Sequence, residues 1–134
     1  MKAPSETFCI LPWIHMATHT DGSALLCCVA QNNQKLNLND HTVSEIWNSE
    51  HFKDARKKML AGEKVSACQH CYTEEKAGVR SHRNNENNFW KKKLGEDYLI
   101  DLVGKTDDNG YLDADAITFD FRLGNTCNLQ CVMC

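Results

Sequence analysis

Apolar positions gather into two runs between residues 13 and 29. Trp13, Ile14, Met16 and Ala17 stand in the first, Ala24 to Val29 in the second, and Asp21 and Gly22 lie between them. Asp-Gly between two such runs predicts a β-hairpin with a two-residue turn. That turn sets Met16 across from Cys27 and His15 across from Cys28. Successive strand residues face opposite sides, so only one of the two adjacent cysteines can point at a given site. Residues 31–42 are polar and read as loop. Residues 43–48, with Ile46 and Trp47, predict a short helix. Ser49 then caps a helix over 50–61, with Phe52, Ala55 and Met59 on one face and Gly62 as its stop. Thr73 caps a further helix through Glu74 and Glu75 towards Lys93, Asn-rich over 84–88.

Residues 98–103 fit a helix turn or a short strand equally, because periodicity does not separate the two. Asp107, Asp108, Asn109 and Gly110 fail as a calcium loop, since that alignment puts Lys105 at the first ligand and Ala116 at the last; they read as a turn. Residues 116–123 alternate, which predicts a strand with Ile117, Phe119, Phe121 and Leu123 facing packed helices and Thr118, Asp120 and Arg122 on the other side. The fold class is therefore α+β.

Net charge is -3, and the basic runs at 56–58 and 91–93 are short. Such runs are solvated helix faces, so no nucleic-acid partner is expected. The longest apolar run, 24–30, falls far short of the roughly 20 residues that span a bilayer. The first residues lack a signal-peptide core. A soluble, cytoplasmic protein without a membrane partner is expected. Its eight cysteines then need an explanation. In a reducing compartment they are metal ligands more readily than disulfides. They group as Cys9, Cys27 with Cys28, Cys68 with Cys71, and the triplet Cys127, Cys131 and Cys134.

The triplet follows the predicted strand as C-x3-C-x2-C. Thiolates are soft ligands that suit iron–sulfur clusters. Three of them on a four-iron, four-sulfur cube leave one iron open to a small molecule. With Asn128 and Leu129 after the first cysteine, this loop resembles the cluster loop of the radical S-adenosylmethionine enzymes. The resemblance implies a 4Fe-4S cluster on Cys127, Cys131 and Cys134 that binds S-adenosylmethionine. One electron then cleaves it to methionine and a 5′-deoxyadenosyl radical for hydrogen abstraction. Met133 stands where the family usually carries an aromatic side chain against the adenine, and a thioether can pack there too. A full (β/α) barrel needs about 250 residues. The chain is accordingly expected to be the N-terminal piece of a longer enzyme, ending in the first strand and cluster loop of a truncated barrel and not competent alone.

Cys9, Gly22 and Cys27 stand as C-x12-G-x4-C, and Cys68-x2-Cys71 adds two more thiols. These spacings resemble the twitch domain, a single-auxiliary-cluster relative of the SPASM extension of radical S-adenosylmethionine enzymes. Cys9-x2-Pro12-Trp13, Ile46-Trp47-Asn48-Ser49 and Glu75-x2-Gly78-x2-Ser81 are similar as well. The resemblance implies an auxiliary 4Fe-4S cluster on Cys9, Cys27, Cys68 and Cys71. Cys28 falls one residue off the spacing. The best-known members place this domain after the barrel, whereas here it precedes the C-x3-C-x2-C. By resemblance the auxiliary cluster would relay an electron or help position substrate. The electron donor would be flavodoxin- or ferredoxin-like, and the substrate a peptide, a protein side chain or a small metabolite. The implied division is a twitch-like domain of hairpin and helices over 1–95, a linker over 96–115, and the start of the radical core over 116–134. Two other readings fit the same thiols: a closed four-cysteine zinc site in an interaction module, and a non-enzymatic electron-transfer protein. Of the histidines, His70 is expected to point away from the site, and His15, His19, His41, His51 and His82 lack ligand partners.

Overall fold

The structure, a computed structural model, describes residues 4–32, 36–124 and 126–132. Pro12 lies in the first turn of α1 (Leu11–Ile14), where its fixed φ favours a helix and its missing N–H costs nothing. The expected strand over 13–19 therefore opens as one helical turn, and β1 runs only from His15 to Thr18. It pairs antiparallel with β2 (Ala24–Leu25), Ala17 opposite Leu25 and Thr18 opposite Ala24. This register is one residue away from the expected one, because the loop holds three residues rather than two. His19 N–H donates to Ser23 O at 2.9 Å, and Gly22 N–H donates back to His19 O at 3.0 Å. Gly22 takes φ 86 there, the left-handed position of a three-residue hairpin loop. β2 then ends at Leu25, so Cys27 and Cys28 sit in turns rather than on a strand.

α2 (Val43–Trp47) starts at a capping box: Glu45 N–H donates to Thr42 Oγ1 at 3.2 Å, and Thr42 N–H to Glu45 Oε2 at 2.7 Å. α3 (Glu50–Ala61) has the expected bounds, and its face of Phe52, Ala55 and Met59 is buried. The single helix expected towards Lys93 is two helices. α4 (Gln69–Lys76) begins at the end of a 3-10 turn over Ser66–Cys68, which places Thr73 inside the helix rather than at its cap. Gly78 at φ 77 breaks the run, and Ser81 restarts it as α5 (His82–Leu94) by accepting the Asn84 N–H at 3.2 Å.

Residues 98–103 resolve as helix, within α6 (Glu96–Gly104). Leu99, Leu102 and Leu112 join the same core as Phe8, Ile10, Trp13 and Ile14. Trp13 Nε1 donates to Thr106 Oγ1 and Trp47 Nε1 to Ala114 O, each at 2.7 Å. The segment 96–115 is thus anchored to this core at Leu99, Leu102, Thr106, Leu112 and Ala114. Residues 107–110 form the expected turn, with Asp107 Oδ1 accepting from Asn109 and Tyr111 N–H at 2.8 Å.

β3 (Thr118–Phe121) pairs parallel with β1, giving the sheet order β2-β1-β3. Its facing reverses the expectation. Ile117, Phe119 and Phe121 are 40–43% exposed and Leu123 is 91% exposed, while Thr118 and Asp120 are half-buried. Among the described residues no helix covers the aromatic face, and the Phe119 and Phe121 rings stack on each other at 5.1 Å.

Arg56 of α3 is completely buried. Its Nε donates to Pro12 O at 2.9 Å, Nη2 to Trp47 O at 2.9 Å, and Nη1 to Asn48 Oδ1 at 2.9 Å and Gly110 O at 3.3 Å. The guanidinium also lies over the Trp47 ring, 4.6 Å from its centroid. Burial lowers its pKa to about 10. Gly110 meets this hub at φ 82, where a Cβ would come within 2.2 Å of the Lys53 carbonyl oxygen. Gly78→Ala, at φ 77 with open space around it, isolates the left-handed backbone cost of about 1–2 kcal/mol. Gly110→Ala is expected to lose clearly more, read as a larger drop in urea midpoint. Equal drops would show that the Lys53 backbone moves aside freely.

Candidate metal centre

Three separated segments bring four cysteines together. Cys9 precedes α1, Cys27 lies in the turn after β2, Cys68 closes the 3-10 turn, and Cys71 lies in the first turn of α4. The last two are three residues apart at a helix start, which puts them on one side. All four line a single cavity of about 20 Å³, with Leu11, Val29 and Ala30 and with His70, His82 and Arg83. That volume exceeds the roughly 10–15 Å³ a water molecule requires.

Burial pushes all four thiols upward: Cys27 and Cys68 to about 12, Cys9 well above its ordinary value, and Cys71 in the same direction. The sulfurs also oppose one another's ionisation, Cys9 being raised further by Cys27, Cys68 and Cys71. Backbone N–H groups work the other way. Leu11 donates to Cys9, Val29 and Ala30 to Cys27, and Arg83 to Cys71. The metal-free site therefore holds neutral thiols with donors already placed for thiolates.

This donor set fits an iron–sulfur cluster. Thiolates are soft donors, and four of them converging on one cavity form the kind of ligand set such a cluster takes.

Cys28 is half-buried and does not line the cavity, and its Sγ lies 3.8 Å from Nε2 of His82, which does. One histidine differs from expectation. His70 lines the cavity instead of pointing away, with its Nε2 3.4 Å from Glu74 Oε1. His82 lines it too, between Cys28 and Glu86, whose Oε1 is 3.9 Å from His82 Nδ1. Sequence reasoning did not single out Arg83. An arginine in a polar, Asn-rich stretch reads as solvated, and only the tertiary fold turns it inward.

Cys127 and Cys131 are exposed, in a segment without helix or strand, with Cys127 Sγ 3.8 Å from Leu129 O. Neither lines the four-cysteine cavity. Cys134 lies outside the described residues. No described helix is long and apolar enough to cross a membrane.

No curated protein and no solved structure matches the chain. Residues 9–72 match the family model of SPASM, an iron-sulfur cluster-binding domain. The matched span opens on Cys9 and closes just past Cys71, so the four thiols that share the cavity are those of a segment similar to an iron–sulfur cluster-binding domain.

Proposed function

We propose that Cys9, Cys27, Cys68 and Cys71 hold a 4Fe-4S cluster, and that the chain serves radical S-adenosylmethionine chemistry through a second cluster on Cys127, Cys131 and Cys134. The observation that carries the first part is the convergence of four thiols from three segments on one cavity, within the span of the family match. The second part is supported by the C-x3-C-x2-C spacing and by the resemblance it carries. When bound there, a reduced cluster with one open iron supplies the electron that cleaves S-adenosylmethionine to a 5′-deoxyadenosyl radical. At the N-terminal site the chain's own groups surround the sulfurs with apolar side chains and donate backbone N–H to them. Hydrogen bonds to sulfur and exclusion of water are what a protein uses to set a cluster's potential. The reading assigns this site to electron relay or substrate positioning. A flavodoxin- or ferredoxin-like protein would supply electrons, and a peptide, protein or small molecule would be the substrate.

Anaerobic reconstitution tests the metal. In a Cys127→Ser, Cys131→Ser, Cys134→Ser background the protein is expected to turn brown and carry about four irons and four sulfides. Loading should release protons and weaken as pH falls, because each neutral thiol must lose its proton to bind. A colourless protein with stoichiometric zinc and no sulfide would establish the zinc-stabilised module instead.

A further inference from the structure

Arg83, in the first turn of α5, is 7% exposed and lines the four-cysteine cavity. Its guanidinium is spread over two structural units. Nε donates to Glu75 Oε1 at 3.0 Å and Nη2 donates to Glu75 Oε2. Nη1 donates to Phe8 O and to Glu6 O, each at 2.8 Å. Phe8 is the residue before Cys9. Glu75 follows Cys71 by four residues on α4, hence on the same side of that helix. Ser81 Oγ donates to Glu75 Oε1 at 2.5 Å and fixes the carboxylate. The backbone N–H of Arg83 completes the arrangement on the Cys71 sulfur.

We infer that Arg83 is the positioning residue of the metal centre: it clamps the Cys9 segment to the Cys71 helix, and its charge, balanced against Glu75, sets the reduction potential of the cluster held there. This rests on the reading of the four cysteines as cluster ligands. Reduction adds negative charge to a cluster, so a neighbouring cation raises its potential and a neighbouring carboxylate lowers it. The buried Arg83 charge is little screened, and the partly exposed Glu75 carboxylate is screened more. Arg83 acts electrostatically on Cys9, Cys68 and Cys71, and Glu75 acts on Cys71 in the opposite sense.

The two halves of the proposal give different readouts. In the triple-serine background, the midpoint potential of the reconstituted cluster is measured by a redox titration followed by electron paramagnetic resonance. R83M is expected to lower the potential, E75Q to raise it, and R83K to leave it at the parent value. A purely structural residue would not give opposite signs. Shifts in the same direction, or no shift in either variant, overturn the electrostatic half. If R83M holds no iron, E75Q decides alone, and a potential at or below the parent's overturns it. The clamp is read without metal, by hydrogen exchange of the metal-free protein. R83M and R83K should both speed exchange at the amides of residues 9–13, and unchanged exchange overturns the clamp. A parent that takes up zinc or nothing removes the cluster reading and the potential with it, while the exchange result still decides the clamp.

Discussion

Cys27→Ser is expected to abolish the N-terminal cluster, whereas Cys28→Ser leaves it intact. The two residues are neighbours, yet Cys27 lines the shared cavity and Cys28 does not. Cys27 is buried and takes N–H donors from Val29 and Ala30. A serine there keeps the size of the side chain but offers a hard oxygen that does not ionise under the same conditions. Ligation and folding are coupled in sites of this kind, so losing one of four ligands costs the whole cluster and part of the domain's stability. In the triple-serine background, bound iron should fall from about four to none in Cys27→Ser and stay at about four in Cys28→Ser. Thermal unfolding of the reconstituted proteins should separate them in the same order. The reverse result would mean that residues 26–29 turn by one position relative to this structure.

The second large effect is expected at Arg56, which does not line the four-cysteine cavity. Arg56→Met keeps much of the apolar stem but removes every donor, leaving the carbonyls of Pro12, Trp47 and Gly110 buried without one. Asn48 Oδ1 retains one partner, the Leu112 N–H at 3.0 Å. Relief from burying a charge offsets some of the loss, since burial already disfavours the cation. Unpaired buried acceptors cost about 1–3 kcal/mol each, so the net loss should be roughly 3–5 kcal/mol. Urea denaturation of the metal-free protein measures it. A loss under about 1 kcal/mol would show that water replaces the guanidinium in a core that excludes it here.

Local signals were legible in the sequence and non-local ones were not. Ser49 stands at the N-cap position of α3 without a side-chain cap hydrogen bond, and Gly62 is its left-handed stop, so both signals lie within a residue of the helix ends. The resemblance carried by the C-x12-G-x4-C and C-x2-C spacings picked out the four thiols that share a cavity. The hairpin register escaped, because Asp21 and Gly22 suit a two-residue and a three-residue loop alike. Here the three-residue form is held by Asn37 and Asn39, whose side-chain amides donate to Asp21 O at 2.9 and 3.2 Å across sixteen residues and more. Alternation in β3 identified its apolar face but carried no information on what packs against it. Arg83, His70 and His82 reach the cavity only through the packing of α4 and α5, and no spacing encodes that.

The long span of the site also has a consequence in time. Ile10 N–H is held by Asn87 Oδ1 and the Phe8 carbonyl by Arg83, contacts that bridge 77 and 75 residues of chain. Contacts this distant form late, after the entropy of closing the intervening chain has been met. At about 5–20 residues per second of synthesis, α5 follows Cys9 by several seconds. During that interval Cys9 is an ungathered thiol on a nascent chain, and the contacts that hold its segment form only once α5 has emerged and docked.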